Sequence, residues 1–455
     1  MDGRAHFQFG VSLRLRAVGV FALSLCLVQI AAFAAPPDIG EDWSLTFESE
    51  FDRPAKAQDR DPFLIEDFDR VERGSDNAKW EYRKGPNKEA YAVEDNAFVT
   101  TDPETNASVL VLRTSVDPDP NSRRSNAMRT GYVRTRNYRN TGRNEDTTFT
   151  QRFGYFEARM KFDPSPGQWG AFWLMPTYGI WCADGSGRDA TEIDIVEGFP
   201  RPAGKRFDRQ EQVNFAIHYD GYGRFHQKQD VGFPRSSDLA AFPEFSSDEF
   251  VTYGFLWTPD SYTWYVNGIP TYKIDDPDLI SQRAKYLKLS TEVASWAGQI
   301  DPDQLPADTS VDWVRVWQTD GLAQGNPYIF QAESEDLERS RGVREFREDT
   351  GTWCSNRVVR ATYRKQGEIT VPLSAPVDTR QIGIRVSNKT EKNGSLSLFV
   401  DGVEAQTWSE IDLDPLFILK HEARMTASQT VTVKWTGNLA IDQVYIVPGT
   451  PYLER

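Results

Sequence analysis

Short runs of alternating or β-branched residues, each closed by a turn signal, recur along this chain, and sustained helical periodicity is hard to find. Trp43-Ser44-Leu45-Thr46-Phe47 places its three apolar residues on one face and its two hydroxyls on the other, the period of a half-buried strand. Ser108 to Leu112 and Tyr262 to Val266 are further short alternating or β-branched runs. Val311 to Trp317 differs: Val311, Trp313 and Trp317 line one face, Val314 and Val316 the other, so it is expected to be covered on both sides. Asn267-Gly268 and Asp401-Gly402 follow apolar runs and signal tight hairpins. Aromatic residues at 13% and 26 prolines also suit a β protein. One short helix is expected up to Leu287, capped by Asp276 with Pro277 at its first position. The fold class this implies is all-β.

A chain of 455 residues is long enough for two or three domains. Arg4, Arg14 and Arg16, the apolar run Val18 to Ala32 and Ala32-Phe33-Ala34 make residues 1–34 read as a cleaved signal peptide, and hence the protein as secreted, extracellular or periplasmic. That segment carries a net charge of +2, so its removal takes the chain from −15 to −17. Such acidity argues against nucleic acid or an anionic membrane surface as a partner, and no later stretch is apolar enough to span a bilayer. A monomer is expected. Gly321 to Pro327 reads as a linker between a larger domain over 35–320 and a smaller β-sandwich over 328–455, whose strands are Glu368 to Leu373, Gln381 to Val386, Ser395 to Val400, Thr430 to Trp435 and Ala440 to Val447. Cys182 and Cys354 remain after export; one bridge between them and two free thiols are both open readings.

The chemistry concentrates in Thr191-Glu192-Ile193-Asp194-Ile195-Val196-Glu197-Gly198. In a flat strand Glu192 and Asp194 share a face and Glu197 falls among the isoleucines, where an ionised carboxylate is costly. One inserted residue, a bulge at Ile195-Val196, brings Glu197 round beside the other two. Three acids in register repel one another, which packing alone would not select, although a calcium cluster or a solvated edge could also carry them. Retaining cleavage of a glycosidic bond needs such crowding: one carboxylate attacks, and another stays protonated to donate to the leaving oxygen. Glu192 is therefore read as nucleophile and Glu197 as acid/base, with Asp194 between them sharing a proton and tuning the nucleophile. An inverting arrangement needs a wider gap, which spacing along a strand does not exclude.

At these residues the chain resembles family 16 glycoside hydrolases, in the branch with Glu-x-Asp-x-x-Glu. Phe153 to Arg159, Trp169 to Leu174, Tyr253 to Pro259 and Val311 to Trp317 resemble further strands of that family in order and spacing, over roughly residues 40–320. The resemblance implies a jelly-roll β-sandwich with the acids on its concave face and the same roles for Glu192, Asp194 and Glu197. It also implies that His218 lies near the substrate, that Glu292 and Trp296 lie at the cleft edge, and that one structural calcium sits away from the cleft, where Asp312 and the neighbourhood of Glu50 match. No cofactor is expected for catalysis. Beyond the linker, Phe330 to Glu333 and Leu439 to Ile446 resemble the first and last strands of carbohydrate-binding modules.

Trp169, Trp173 and Trp181 precede the acidic strand and are candidate sugar platforms, as are Trp353, Tyr363, Trp408 and Trp435 further on; a core role is the alternative for each. Seven arginines between Arg123 and Arg143 read either as a solvated loop and strand edge or as a sulfate-recognition patch. The foremost functional reading is a secreted, retaining, endo-acting β-1,3-glucanase of the laminarinase type. A sulfated or neutral galactan hydrolase (agarase-, porphyranase- or carrageenase-like) is the runner-up, a transglycosylase shares the same intermediate, and a non-catalytic glycan-binding protein is the alternative of another class.

Overall fold

The computed structural model describes residues 36–52, 69–70, 90–117, 128–135, 149–163, 165–176, 180, 185–188, 190–198, 213–230, 250–294, 297–323, 329–334, 337–347, 357–362, 365–387, 394–409, 411 and 417–449. The expected signal segment, Trp181, both exported cysteines, Trp296, Trp353 and Tyr363 lie outside them. Nearly all described secondary structure is β, as the alternation requires.

Two antiparallel-dominated sheets make the larger part. The seven-stranded sheet runs Gln227–Asp230, Val213–Tyr219, Thr191–Gly198, Gln168–Pro176, Lys285–Val293, Tyr132–Arg134 and Asp69–Arg70. The ten-stranded sheet has Tyr262–Val266, Val251–Trp257, Gly154–Lys161 and Ala307–Gln318 side by side at its centre. One apolar cluster joins the two: Phe156, Phe255 and Trp264 from the ten-stranded sheet meet Phe172, Ile193, Ile217 and Leu287 from the other. Phe215 and Trp264 stack across the gap with centroids 6.4 Å apart. This is a jelly-roll-type sandwich, with the acidic strand near the middle of one sheet.

Both hairpin signals are realised. Asn267 and Gly268 take φ of 48° and 76° between paired Val266 and Ile269, and Asp401 and Gly402 take 47° and 80° between Val400 and Val403. The left-handed pair matches the twist of the flanking strands. Three expectations need correction. No helix runs to Leu287: Asp276 accepts from the backbone N–H of Asp278 in a turn, and Lys285–Val293 is a strand carrying Leu287 and Leu289 into the core. Val311 does not share a face with Trp313, because the register slips between them against Gly154–Lys161 and all of Val311, Val314 and Val316 enter the core. Leu45 is 45% exposed, since its strand also slips between Leu45 and Phe47. The expected linker begins with a helical turn, Asp320–Ala323.

A separate nine-stranded sheet follows. Its two long strands, Gln366–Ser387 and Phe417–Thr436, shift register between Pro372 and Gln381, and bulged positions let a sheet bend. Residues on both sides of the slip, Ile369 and Val371 with Ile382 and Ile384, then share one core with Trp435. Trp435 is 2% exposed and packed against Gly367, so it is a core residue and not a sugar platform; Trp408 also packs on this core.

Local packing explains the acidic strand. Ile193, Ile195 and Val196 all lie in the sandwich core, and pairing to both neighbours slips between Asp194 and Glu197. At the slip, the Asp194 carbonyl accepts a 3.1 Å hydrogen bond from the indole N–H of fully buried Trp264, on the opposite sheet. Just beyond, Gly198 pairs with Gly170, and a Cβ at either would meet the Phe162 ring at 2.5–2.6 Å. Only glycines there let that ring fill the space beneath Glu197. Replacing Trp264 by Phe leaves a buried carbonyl unpaired and a small void, so we expect a loss of about 2–4 kcal/mol in urea unfolding. An unchanged unfolding midpoint would show that the indole does not support the bulge.

Candidate active site

The slip sets Glu192, Asp194 and Glu197 on the face opposite the isoleucines. Glu192 is partly exposed, whereas Asp194 and Glu197 are 4% and 6% exposed. Glu197 accepts from Trp169 Nε1 at 2.8 Å and from Asn214 Nδ2 at 2.6 Å, so both oxygens are held. Asn214 stands directly opposite Glu197, and His218 opposite Glu192, on the neighbouring strand. His218 Nε2 lies 3.3 Å from Asp194 Oδ2, and His218 Nδ1 lies 2.9 Å from His226 Nε2, with the two ring planes nearly parallel and their centroids 5.1 Å apart. The Tyr222 hydroxyl donates to Glu192 Oε2.

Burial, reinforced by the Asp194 charge and more weakly by Glu192, raises the Glu197 pKa to about 8 against the opposing pull of Asn214 and His218. A carboxyl with that value keeps its proton at neutral pH. For His218, burial disfavours the cation, but the hydrogen bond and charge of Asp194 overcome it and raise the pKa to about 9. Burial and the neighbouring charges of His218 and Lys228 lower the pKa of His226. The pair therefore holds one proton more readily than two, with His218 donating through Nδ1 to His226 Nε2.

Trp169, one of the candidate platforms, gives its indole N–H to Glu197. Trp173 is fixed by a 3.0 Å bond to Ser290 Oγ and an edge contact with Tyr132, and the Lys288 ammonium caps its ring at 3.3 Å from the centroid. The face that Lys288 covers is closed to a sugar. Glu292 pairs in register with Trp169 and is partly buried. Glu50 and Asp312 sit on the other sheet, bound to Arg315 at 2.7 Å and to Arg159 at 2.5 Å. Each of these carboxylates has an arginine beside it, and no step is routed through a calcium. Glu192, Asp194 and His218 are close enough together to hold an ion, but a histidine that keeps its proton is a poor ligand. Of the arginine run, Arg129 pairs with Asp117, Arg134 is fully buried, and the others lie outside the described residues.

Asn214, Tyr222 and His226 were not singled out by sequence. Asn214 lies four residues before His218, hence on the same face of one strand, and that spacing could have found it. Nothing local marks Tyr222 or His226, because a turn brings them back.

A sheet face of a β-sandwich that carries three crowded carboxylates, one of them held protonated, has the groups that acid-assisted bond cleavage needs. Residues 111–315 match the model described as Glycosyl hydrolases family 16. A glucan endo-1,3-beta-glucosidase A1 of Niallia circulans is 27% identical over 186 residues, covering 37% of this chain and 24% of that protein. A beta-glucanase of Rhodothermus marinus is 28% identical over 186 residues, covering 36% and 57%. The chain thus spans from a quarter to just over half the length of these two curated relatives. The catalytic domain of an endo-1,3-beta-glucanase (laminarinase) from Thermotoga petrophila superposes with a TM-score of 0.44 at 21% identity, over 62% of this chain and 99% of that one.

The raised pKa values set a sign for stability. Between about pH 4.5 and 8 folded Glu197 holds a proton that the unfolded chain has released, and His218 does the same between about 6.5 and 9. Buried Glu157, raised to about 7, adds to the effect. Unfolding then releases protons, so stability falls as pH rises through these windows. We expect a lower Tm at pH 9 than at pH 5.5, and a smaller difference in Glu197→Gln; an equal difference in that variant would remove Glu197 as a source.

Proposed function

We propose that this protein is a retaining endo-glycosidase acting on a β-linked glucan, with β-1,3-glucan as the foremost substrate. The observation that carries this reading is the placement of Glu192, Asp194 and Glu197 on one face with Glu197 kept protonated. In the first step a Glu192 oxygen bonds the anomeric carbon as the bond to the leaving oxygen breaks. That oxygen takes the electron pair and the Glu197 proton. Water then attacks the anomeric carbon, gives its proton to Glu197, and the electron pair of the sugar–Glu192 bond returns to the carboxylate. The Asp194 carboxylate, 3.3 Å from His218 Nε2, adds to the burial that favours the proton on Glu197 before the first step. Trp169 and Asn214 fix which way that proton points.

The names of the curated relatives, glucanases acting at 1,3 linkages among them, support the glucan. A charged galactan is favoured by a different observation: the Lys288 ammonium lies against Trp173, which pairs in register with Asp194. Reducing-end release across laminarin, mixed-linkage glucan, agarose, carrageenan and porphyran decides between them. Activity on laminarin alone supports the first reading, activity on a sulfated galactan alone the second, and none on any the glycan-binding alternative.

Two variants separate the roles. Glu192→Gln should lose at least about 10⁴-fold in kcat/KM on every substrate. Glu197→Gln should lose comparably on laminarin while still cleaving a dinitrophenyl glycoside, whose leaving group needs no acid. The wild-type rate should fall on the alkaline side with an apparent pKa near 8, as Glu197 ionises. An alkaline limb unaffected by Glu197→Gln would reassign the acid.

A further inference from the structure

We propose that Tyr222 is a catalytic residue that governs the second half of the reaction, by donating a hydrogen bond from its hydroxyl to the Glu192 carboxylate; this rests on Glu192 being the nucleophile.

The chain is built to deliver it. The histidine strand ends at Tyr219, and Asp220 and Gly221 then take φ of 59° and 75° in succession. Two left-handed residues in a row reverse the chain, which only Asp, Asn or Gly does at little cost. The Asp220 carboxylate accepts the Gly185 N–H at 2.9 Å, tying the turn to the segment that leads into the acidic strand. The His226 N–H closes a second turn on the Gly223 carbonyl at 3.1 Å, and the chain resumes as a strand with Lys228 opposite His218. Tyr222 and His226 are thereby folded back toward the acids, their rings 5.9 Å apart, with His226 hydrogen-bonded to His218.

The orientation of Tyr222 is the telling feature. A surface tyrosine ordinarily buries its ring and shows its hydroxyl to water. Here the residue is 42% exposed while the hydroxyl points inward, onto Glu192 Oε2 and within 3.5 Å of Met175 Sδ. Leaving apolar ring surface in water is unfavourable, and the hydrogen bond to a carboxylate is what the arrangement gains.

A donor bonds an ionised carboxylate more strongly than an ester oxygen. While the sugar is attached, Glu192 is an ester and the Tyr222 bond is weak; as water attacks and the electron pair returns to Glu192, the bond strengthens. The hydroxyl therefore favours release of the sugar over its capture. Removing it should leave formation of the glycosyl-enzyme near its original rate and slow its hydrolysis.

The test uses the full chain with Tyr222→Phe, which keeps the exposed ring and deletes one oxygen; thermal melting checks that it folds. The probes are 2,4-dinitrophenyl β-laminaribioside and its 2-deoxy-2-fluoro analogue. With the first, we expect kcat to fall about tenfold, KM to fall in parallel, and kcat/KM to hold within about threefold, with a burst of dinitrophenolate. With the second, mass spectrometry should find one label per chain on Glu192 in both proteins, and reactivation should be about tenfold slower in the variant. If Glu192 is labelled but the variant reactivates at the wild-type rate, or loses kcat/KM as much as kcat, the role of Tyr222 is overturned and the nucleophile stands. A wild-type enzyme that neither cleaves nor is labelled by these probes overturns both. Should Tyr222→Phe melt early, Asp220→Asn, which keeps the left-handed residue but weakens the tie to Gly185, must reproduce the slowed reactivation, or the proposal fails.

Discussion

An ionised carboxylate cannot sit cheaply among aliphatic side chains, and the centre of this molecule is organised by that cost. Glu197 follows Ile193, Ile195 and Val196 in a strand whose lower face is core, and strict alternation would turn it inward. The register slip after Asp194 turns it outward. The slip needs its own support: a buried indole from the other sheet on the Asp194 carbonyl, two facing glycines, and the Phe162 ring filling the space they leave. The sandwich core and the acid cluster are in this sense one structure, since the residues that make the bulge tolerable are core residues.

Outward placement solves one problem and creates another. Three acids beside each other repel, and the site answers by keeping one proton on Glu197 and one cation on His218. Asp194 is the common neighbour that makes both favourable. His226 takes the other side of His218, where its own lowered pKa leaves it an acceptor. Hydrogen-bond donors face the remaining oxygens: Trp169 and Asn214 on Glu197, Tyr222 on Glu192. Each acid thus carries a distinct set of partners, which is how identical side chains come to hold different protonation states.

Much of this was legible in the chain. The strands announce themselves by alternation, the hairpins by Asn267-Gly268 and Asp401-Gly402, and the acids by their spacing, because each of these signals is local and acts through backbone geometry. The failures share a cause. The helix expected before Leu287 rested on a cap and a proline, yet sheet pairing of Lys285–Val293 with Gln168–Pro176 outweighed that local preference. Val311 changed face because of a slip that no composition marks. Trp173 looked available to a sugar until Lys288, 115 positions later and directly opposite in the sheet, covered one face of it. Glu50 and Asp312 meet Arg315 and Arg159, partners that sheet pairing brings together and that no spacing along the chain marks.

By itself the sequence determined that this is a β protein and that one strand brings Glu192, Asp194 and Glu197 together, because periodicity and the price of buried charge operate between neighbours in the chain. Only the tertiary structure decided which carboxyl keeps a proton, which tryptophan spends its N–H on an acid, and that a tyrosine and a second histidine return from beyond a turn to touch the cluster. Those outcomes depend on burial and on contacts between distant segments, and burial is a property that a linear sequence does not possess until it folds.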